Sequence, residues 1–168
     1  MKLKAYLLVA SAAFLGIAAE TKNAKPVEGV NPGDLAPRIN LEENESPIHF
    51  QNQNGRYTLI NFWAAYDAES RARNVRLWNE VNKLNASTEK VAMYSISLDE
   101  KTSIFEETVK MDKLGGTAQL HERQGYRADV FKKYQLDKGL KNFLVNDEGV
   151  IIAANVTPER LAELWKQI

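Results

Sequence analysis

The chain has 168 residues, of which 44% are hydrophobic and 26% are charged, and its basic and acidic residues are equal at 22 each. That composition suits one soluble domain with a single core, and the balanced charge argues against a phosphate-binding surface for nucleic acid. The chain has no cysteine, which excludes disulfides, thiolate nucleophiles and cysteine metal sites. Only two histidines remain, His49 and His121, and they are far apart in sequence. We therefore expect neither a metal site nor another cofactor.

The first residues have the pattern of a secretory signal peptide. Lys2 and Lys4 precede an apolar run at 5–19 that ends in small residues. This run is shorter than the about 20 residues that a membrane-spanning helix needs, so a cleaved signal is favoured over a membrane anchor. We expect an exported protein of the bacterial periplasm or cell envelope, with no membrane span after cleavage. The predicted organisation is a signal peptide (1–19), a linker (20–32) and one folded domain (33–168).

The first half of the domain predicts two central strands around a helix. A turn at 33–37 leads into a short strand at 38–41, and the almost uninterrupted apolar run at 57–63 predicts a buried strand. A helix is predicted from Asp67 onward, and a second buried strand at 91–98. The apolar stripe of this helix is predicted to contain Val75, Trp78 and Val81, together with Leu77 and Leu84.

The second half predicts three helices and a hairpin. Helices are expected from Ser103 to about Met111 and at 128–134, with a short strand at 118–120 between them. Two apolar runs around an Asn-Asp-Glu-Gly turn predict a β-hairpin at 142–154. Thr157 is the predicted N-cap of a terminal helix, with proline at its first position. Strands that alternate with helices in this way predict an α/β fold with a mixed sheet.

Three segments resemble the secreted thioredoxin-like proteins of the TlpA/ResA type. Gly-Asp-Leu-Ala-Pro at 33–37 is similar to the motif that opens that family's domain. Leu-Ile-Asn-Phe-Trp-Ala-Ala-Tyr at 59–66 resembles the family's central strand, and 134–151 resembles its later strands and turn. The resemblance covers roughly residues 31–168. It implies a thioredoxin-like fold, with a mixed central sheet flanked by helices and a C-terminal hairpin and helix.

The chain departs from that family at its redox site. In the family, Trp-Cys-x-x-Cys-Arg follows the central strand, and here Asp67 and Ser70 stand at the two cysteine positions. The family's facing proline, normally cis, is matched by Leu140. A cis bond before a residue other than proline costs about 3 kcal/mol, so we expect a trans bond there. The resemblance thus implies a degenerate member without thiol–disulfide exchange, a chemistry that needs two thiols.

The polar residues at this place have two interpretations each. Asp67, Glu69 and Asp99 could form a carboxylate cluster for metal or acid–base chemistry. We favour helix capping for Asp67 and Glu69, and a solvated charge at a strand end for Asp99. Ser70 has no histidine nearby in sequence to activate it as a nucleophile. Lys138 and Lys141 are interpreted as part of a solvated surface.

The aromatic residues beside this place also have two interpretations. Trp63 and Tyr66 could form a platform for a peptide, or could pack in the core, and we favour packing for Trp63. The candidate binding residues are Trp63, Tyr66, Asp67 and Glu69; no catalytic residue is assigned.

The favoured function is a non-catalytic module that uses the former active-site groove to bind an envelope protein or a peptide. One alternative is an enzyme, either a thiol-disulfide oxidoreductase by family resemblance alone or one with new carboxylate chemistry. A second alternative is a folded remnant whose surface binds nothing specific.

Overall fold

The computed structural model describes residues 25–42, 46–88, 90–115 and 118–166. The predicted signal peptide and the first part of the predicted linker lie outside the described residues. Within these ranges, no helix combines the length and the apolar composition that crossing a bilayer requires.

A five-stranded mixed sheet forms the centre of the fold, in the strand order β3-β2-β1-β4-β5. The central strand β1 is buried at every residue except its first, as its apolar sequence predicts. β1 pairs in parallel with β2, and β4 pairs antiparallel with both β1 and β5, which confirms the mixed sheet and the C-terminal hairpin. The strands are β1 (Tyr57–Trp63), β2 (Val91–Ser97), β3 (Gln119–His121), β4 (Asn142–Val145) and β5 (Ile151–Ala154).

The register of the parallel strands brings their carboxyl ends to one edge of the sheet. Trp63, the last residue of β1, lies opposite Ser97, the last residue of β2. Ser97 in turn lies opposite His121, the last residue of β3. The loops that follow these strands therefore meet at one edge.

Four helices are connected to this sheet. The longest, α1, buries Asn74, Leu77 and Val81 at spacings of three and four residues. Val75 and Trp78, which were predicted to lie in the buried stripe, are only half-buried. That prediction was partly wrong because polar Asn74, which an apolar pattern cannot identify, lies on the face toward the sheet. The helices are α1 (Ala68–Thr88), α2 (Thr102–Met111), α3 (Asp129–Lys133) and α4 (Pro158–Trp165).

The terminal helix confirms its sequence-based start. Pro158 is its first residue, and the Thr157 hydroxyl accepts a hydrogen bond from the Arg160 backbone N–H at 3.2 Å. This satisfies one of the free N–H groups at the helix N-terminus.

The core has two layers because successive side chains of β1 point to opposite faces of the sheet. Leu59 packs with Leu77 of α1 and Leu161 of α4 on one face. Phe62 packs on the other face against Tyr134 and Phe143, with ring centroids 4.9 Å and 6.5 Å away. The sheet is thus packed on both faces.

The predicted strand at 38–41 is wrong as a strand. Ile39 forms one isolated antiparallel bridge with Ile48, and no ladder continues from it among the described residues on either side. Ile39 and Leu41 are nevertheless buried in the core. The segment at 38–41 is therefore buried at alternate residues, as in a strand, but it does not form the hydrogen bonds of a strand ladder.

Candidate functional site

The site is built at the carboxyl edge of the sheet, where β1 leads into α1. Asp67 directly precedes the helix, and its Oδ1 accepts a hydrogen bond from the Ser70 backbone N–H at 2.9 Å. This is an N-cap, and it confirms the capping interpretation of Asp67. Glu69 lies exposed in the first helical turn, where a negative charge suits the helix dipole.

Ser70 is buried, and both hydrogen-bonding functions of its hydroxyl are used. The Oγ donates to the Asp67 backbone oxygen at 3.1 Å and accepts from the Ala64 N–H at 3.3 Å. The Ser70 side chain thus links both ends of the loop between β1 and α1. Because these bonds are to backbone atoms, no side chain activates Ser70 as a nucleophile.

Asp99 differs from its prediction. It is 3% exposed, and its two carboxylate oxygens lie 3.0 Å and 2.9 Å from the Ala65 backbone nitrogen, which donates to them. The Ser97 hydroxyl donates to Oδ2 at 2.8 Å. The interpretation as a solvated charge was wrong because the loop at 64–67 lies over the end of β2 and supplies the Ala65 N–H as a donor. Asp99 holds this loop, and no cluster of potential metal ligands occurs within the described residues.

The two aromatic candidates have different environments. Trp63 is 0% exposed and packs with its ring centroid 6.3 Å from that of Phe105, so it belongs to the core and presents no surface to a ligand. Tyr66 is 72% exposed. Its pKa is raised by partial burial and then by the negative charges of Asp99, Asp67 and Glu100. Tyr66 is therefore an exposed aromatic side chain at this edge.

His121 is a buried residue of the same edge, and this agrees with the second form of its interpretation from sequence, as a surface residue or as one satisfied by hydrogen bonding. Its ring stacks on Phe105 with centroids 4.7 Å apart, and Nε2 donates to the Asp99 backbone oxygen at 2.6 Å. Because that acceptor is a carbonyl, Nε2 carries the proton in the neutral ring. Through this hydrogen bond, His121 fixes the backbone just after β2.

The turn before β4 faces the start of α1. Its Gly139–Leu140 peptide bond is trans, as predicted. The Arg73 Nη2 donates to the Leu140 backbone oxygen at 2.7 Å and to that of Phe62 at 3.3 Å. Burial lowers the pKa of Arg73, and the charges of Glu69 and Asp67 partly oppose this. Arg73 thus ties α1 to the facing turn, a role that nothing in its sequence neighbourhood indicates.

An open cleft of about 510 Å³ lies between the start of α1, the turn at 138–141 and the start of α4. Asp67, Glu69, Ser70 and Leu140 all line it, so the structure brings these four predicted residues together. Trp63 and Tyr66 are not among the lining residues. Lys138 and Lys141, interpreted from sequence as part of a solvated surface, lie on the cleft wall.

A solved protein of very similar sequence identifies the family. A thioredoxin-like protein from Parabacteroides distasonis is 65% identical to this chain, with a TM-score of 0.77, and the match covers 84% of this chain and 99% of that one. The chain belongs to the thioredoxin-like family. A thiol-disulfide oxidoreductase from Bacteroides fragilis is also similar to this thioredoxin-like protein, at 27% identity and a TM-score of 0.64, covering 80% of this chain and 98% of that one. No protein-family model and no curated protein matches the chain.

The thioredoxin-like fold expected from the sequence is thereby confirmed. The thioredoxin-like protein described here contains no cysteine, which is consistent with a degenerate member of a family whose solved relatives include thiol-disulfide oxidoreductases. The positions that the resemblance assigns to the former redox site, Asp67, Ser70 and Leu140, lie around one cleft.

Proposed function

We propose that this thioredoxin-like protein is a non-catalytic binding module that holds a peptide or a partner protein in the cleft between α1, the turn at 138–141 and α4. The observation that carries the proposal is that the cleft stays open at about 510 Å³ while Asp67 and Ser70 are engaged with the backbone.

The chemistry of the chain supports a role without catalysis. Thiol–disulfide exchange proceeds by attack of a thiolate on a disulfide, and this chain has no sulfhydryl group. A carboxylate mechanism finds little support either, because Asp67 is engaged in capping and Asp99 lies buried under the loop that it holds. We therefore infer that the chain keeps the fold of its relatives and uses the cleft for binding.

The test of binding is a selection from a random peptide library on the purified protein. Glu69 is exposed and lines the cleft, so Glu69→Trp fills the cleft with a bulky side chain. Glu106 is exposed on α2 and does not line the cleft, so Glu106→Trp is the matched control. We expect selected peptides to bind the wild type and the control equally, and to bind Glu69→Trp at least about tenfold more weakly, a difference of about 1.4 kcal/mol.

Tyr66→Ala adds a test of the exposed aromatic side chain. If the partner extends beyond the cleft toward the loop at 64–67, this change weakens binding while the fold is unaffected, because Tyr66 is exposed. Failure to select any peptide, or binding that Glu69→Trp leaves unchanged, would contradict the proposed function.

A second assay addresses the alternative of catalysis. The purified protein should not accelerate the reduction of insulin by dithiothreitol. Acceleration above the uncatalysed rate would show that the protein acts on disulfides by a route that its own residues do not suggest, and would overturn the non-catalytic role.

We also propose that the protein acts in the cell envelope after export. The support is the signal-like pattern of residues 1–19. Fractionation of the source bacterium, followed by N-terminal sequencing, should find a chain that begins near residue 20 outside the cytoplasm. An intact N-terminus in the cytoplasmic fraction would refute export.

A further inference from the structure

Three cations on the cleft wall have no carboxylate bound to them. Arg76 of α1 and Lys138 and Lys141 of the facing turn all line the cleft. Within the part of the chain that the structure describes, none of the three forms a salt bridge or a side-chain hydrogen bond. They come from two elements that lie far apart in sequence, so the fold gathers them at one place.

The carboxylates around the same cleft already have other interactions. Asp67 caps α1 through its bond from the Ser70 N–H. Glu159 stands in the first turn of α4, where hydrogen bonds from its own backbone N–H and from Thr157 lower its pKa, and the nearby charge of Arg76 adds to this effect. Glu69 lies one helical turn before Arg73, whose charge it faces. Four cations line the cleft against these three carboxylates, so the net charge of its wall is positive. The cations are Arg73, Arg76, Lys138 and Lys141.

The mixture of charges also limits the kind of anion. A nucleic acid or another polyanion would bring many negative charges toward Asp67, Glu69 and Glu159, which line the same cleft. One or two carboxylates on an otherwise uncharged chain can approach the free cations without that repulsion. A peptide with separated acidic side chains meets this requirement.

We propose that the cleft selects an acidic peptide segment, with aspartate or glutamate side chains placed against Arg76, Lys138 and Lys141. This inference rests on the proposed function and adds the chemistry of the ligand to it. Lys138 and Arg76 are exposed, and Lys141 is half-buried, so all three can reach a ligand without a change of fold.

The experiment measures the binding of a peptide with two separated glutamates in an otherwise uncharged chain, labelled with an uncharged dye, to the purified protein. The same peptide with glutamine in place of glutamate removes the charge at constant shape. We expect roughly tenfold weaker binding of the glutamine peptide, and a similar loss in Arg76→Glu/Lys138→Glu, because each exposed ion pair contributes up to a fewfold. Raising NaCl from about 0.01 M to about 0.15 M should weaken the binding of the glutamate peptide and leave that of the glutamine peptide unchanged. The reason is that the Debye length falls from about 30 Å to about 8 Å.

The control variant is Lys110→Glu/Lys132→Glu, which makes the same charge change at two exposed positions away from the cleft. It should bind the glutamate peptide within about twofold of the wild type. Equal urea midpoints for both double variants would show that neither loses its fold.

The outcomes separate this inference from the proposed function. If the random library of the preceding section yields peptides that Glu69→Trp rejects but that carry no excess of acidic residues, the acidic preference is wrong while the binding role stands. If a short oligonucleotide displaces the peptide and binds more tightly, the ligand is a polyanion and the inference is wrong. If no peptide of any composition binds, both proposals fail.

Discussion

Asp99 is the residue whose removal should most affect the loop at 64–67. Its carboxylate accepts the Ala65 N–H at 3.0 Å and 2.9 Å and the Ser97 hydroxyl at 2.8 Å, at a site that is 3% exposed. In Asp99→Ala both donors lose a charged acceptor. A hydrogen bond to a charged group contributes about 1.5–3 kcal/mol, and the Ser97 hydroxyl can rotate to another partner. We therefore expect a loss of about 3 kcal/mol in the free energy of unfolding, and about 1 kcal/mol in Asp99→Asn, which keeps one acceptor oxygen.

The measurement is urea unfolding followed by tryptophan fluorescence, to which the buried Trp63 beside this loop contributes together with Trp78 and Trp165. With a urea dependence of about 2 kcal/mol per molar, Asp99→Ala should unfold at about 1.5 M less urea than the wild type. Hydrogen exchange at the Ala65 amide should also accelerate, because that amide loses its acceptor.

Glu100→Ala is the matched control, since Glu100 is the next residue and is exposed. Its contact with Arg127, at 3.7 Å, is a surface ion pair, so the change should cost under about 1 kcal/mol. If Asp99→Ala and Glu100→Ala destabilise equally, or if the Ala65 amide exchanges at the wild-type rate, the carboxylate does not hold the loop and the reasoning is wrong.

Three further predictions test other contacts near the cleft. Asp67→Ala should lower the free energy of unfolding by about 1 kcal/mol. Asp67→Asn should stay close to the wild type, because its amide oxygen can still accept the Ser70 N–H. Equal urea midpoints for the two variants would refute capping. Gly139→Ala should lower the free energy of unfolding by about 1–3 kcal/mol, because the backbone angles φ 110° and ψ 151° suit glycine alone. Steric contact is not the reason, since nothing lies within 4 Å of the added carbon. An unchanged urea midpoint would contradict this prediction. Tyr134→Phe should cost about 1 kcal/mol near pH 8 through loss of the 2.6 Å bond to the Pro37 oxygen. Burial raises the pKa of Tyr134 above the 10.0 of a free tyrosine, so the wild type loses stability above pH 10.0 as the unfolded chain ionises. The difference between wild type and Tyr134→Phe should then shrink; a difference that grows with pH would reverse the assigned sign.

The parts of the fold that sequence predicted are those set by local pattern. The almost uninterrupted apolar run at 57–63 predicts a buried element, and it is the central strand. Asp67 and Thr157 precede amphipathic segments, and both cap helices because the free N–H groups of a first turn lie within three residues of the cap. These features need no knowledge of what lies elsewhere in the chain.

The parts that sequence missed depend on contacts between distant segments. Asp99 looks like a solvated strand end until the loop at 64–67 is placed over it. Arg73 looks like an ordinary exposed helical arginine, and its partner Leu140 is 67 residues away. A carboxylate or guanidinium can satisfy its hydrogen bonds in water or in protein, so its residue type alone does not indicate which occurs.

The residues at the former redox positions show how a thioredoxin-like fold positions this loop and the facing turn without cysteine or proline. Ser70 and Asp67 hold the Ala64 and Ser70 backbone N–H groups, so the loop and the first helical turn stay satisfied without a thiol. Across the cleft, Arg73 binds the Leu140 oxygen, which fixes the facing turn without a proline. Both walls are thus positioned by hydrogen bonds to backbone atoms, while Arg76 and the lysines of the turn line the cleft without a salt bridge to any described residue. Under the proposed function, the exposed side chains of such a cleft can be changed to alter its ligand, because the hydrogen bonds that position its walls come from other residues.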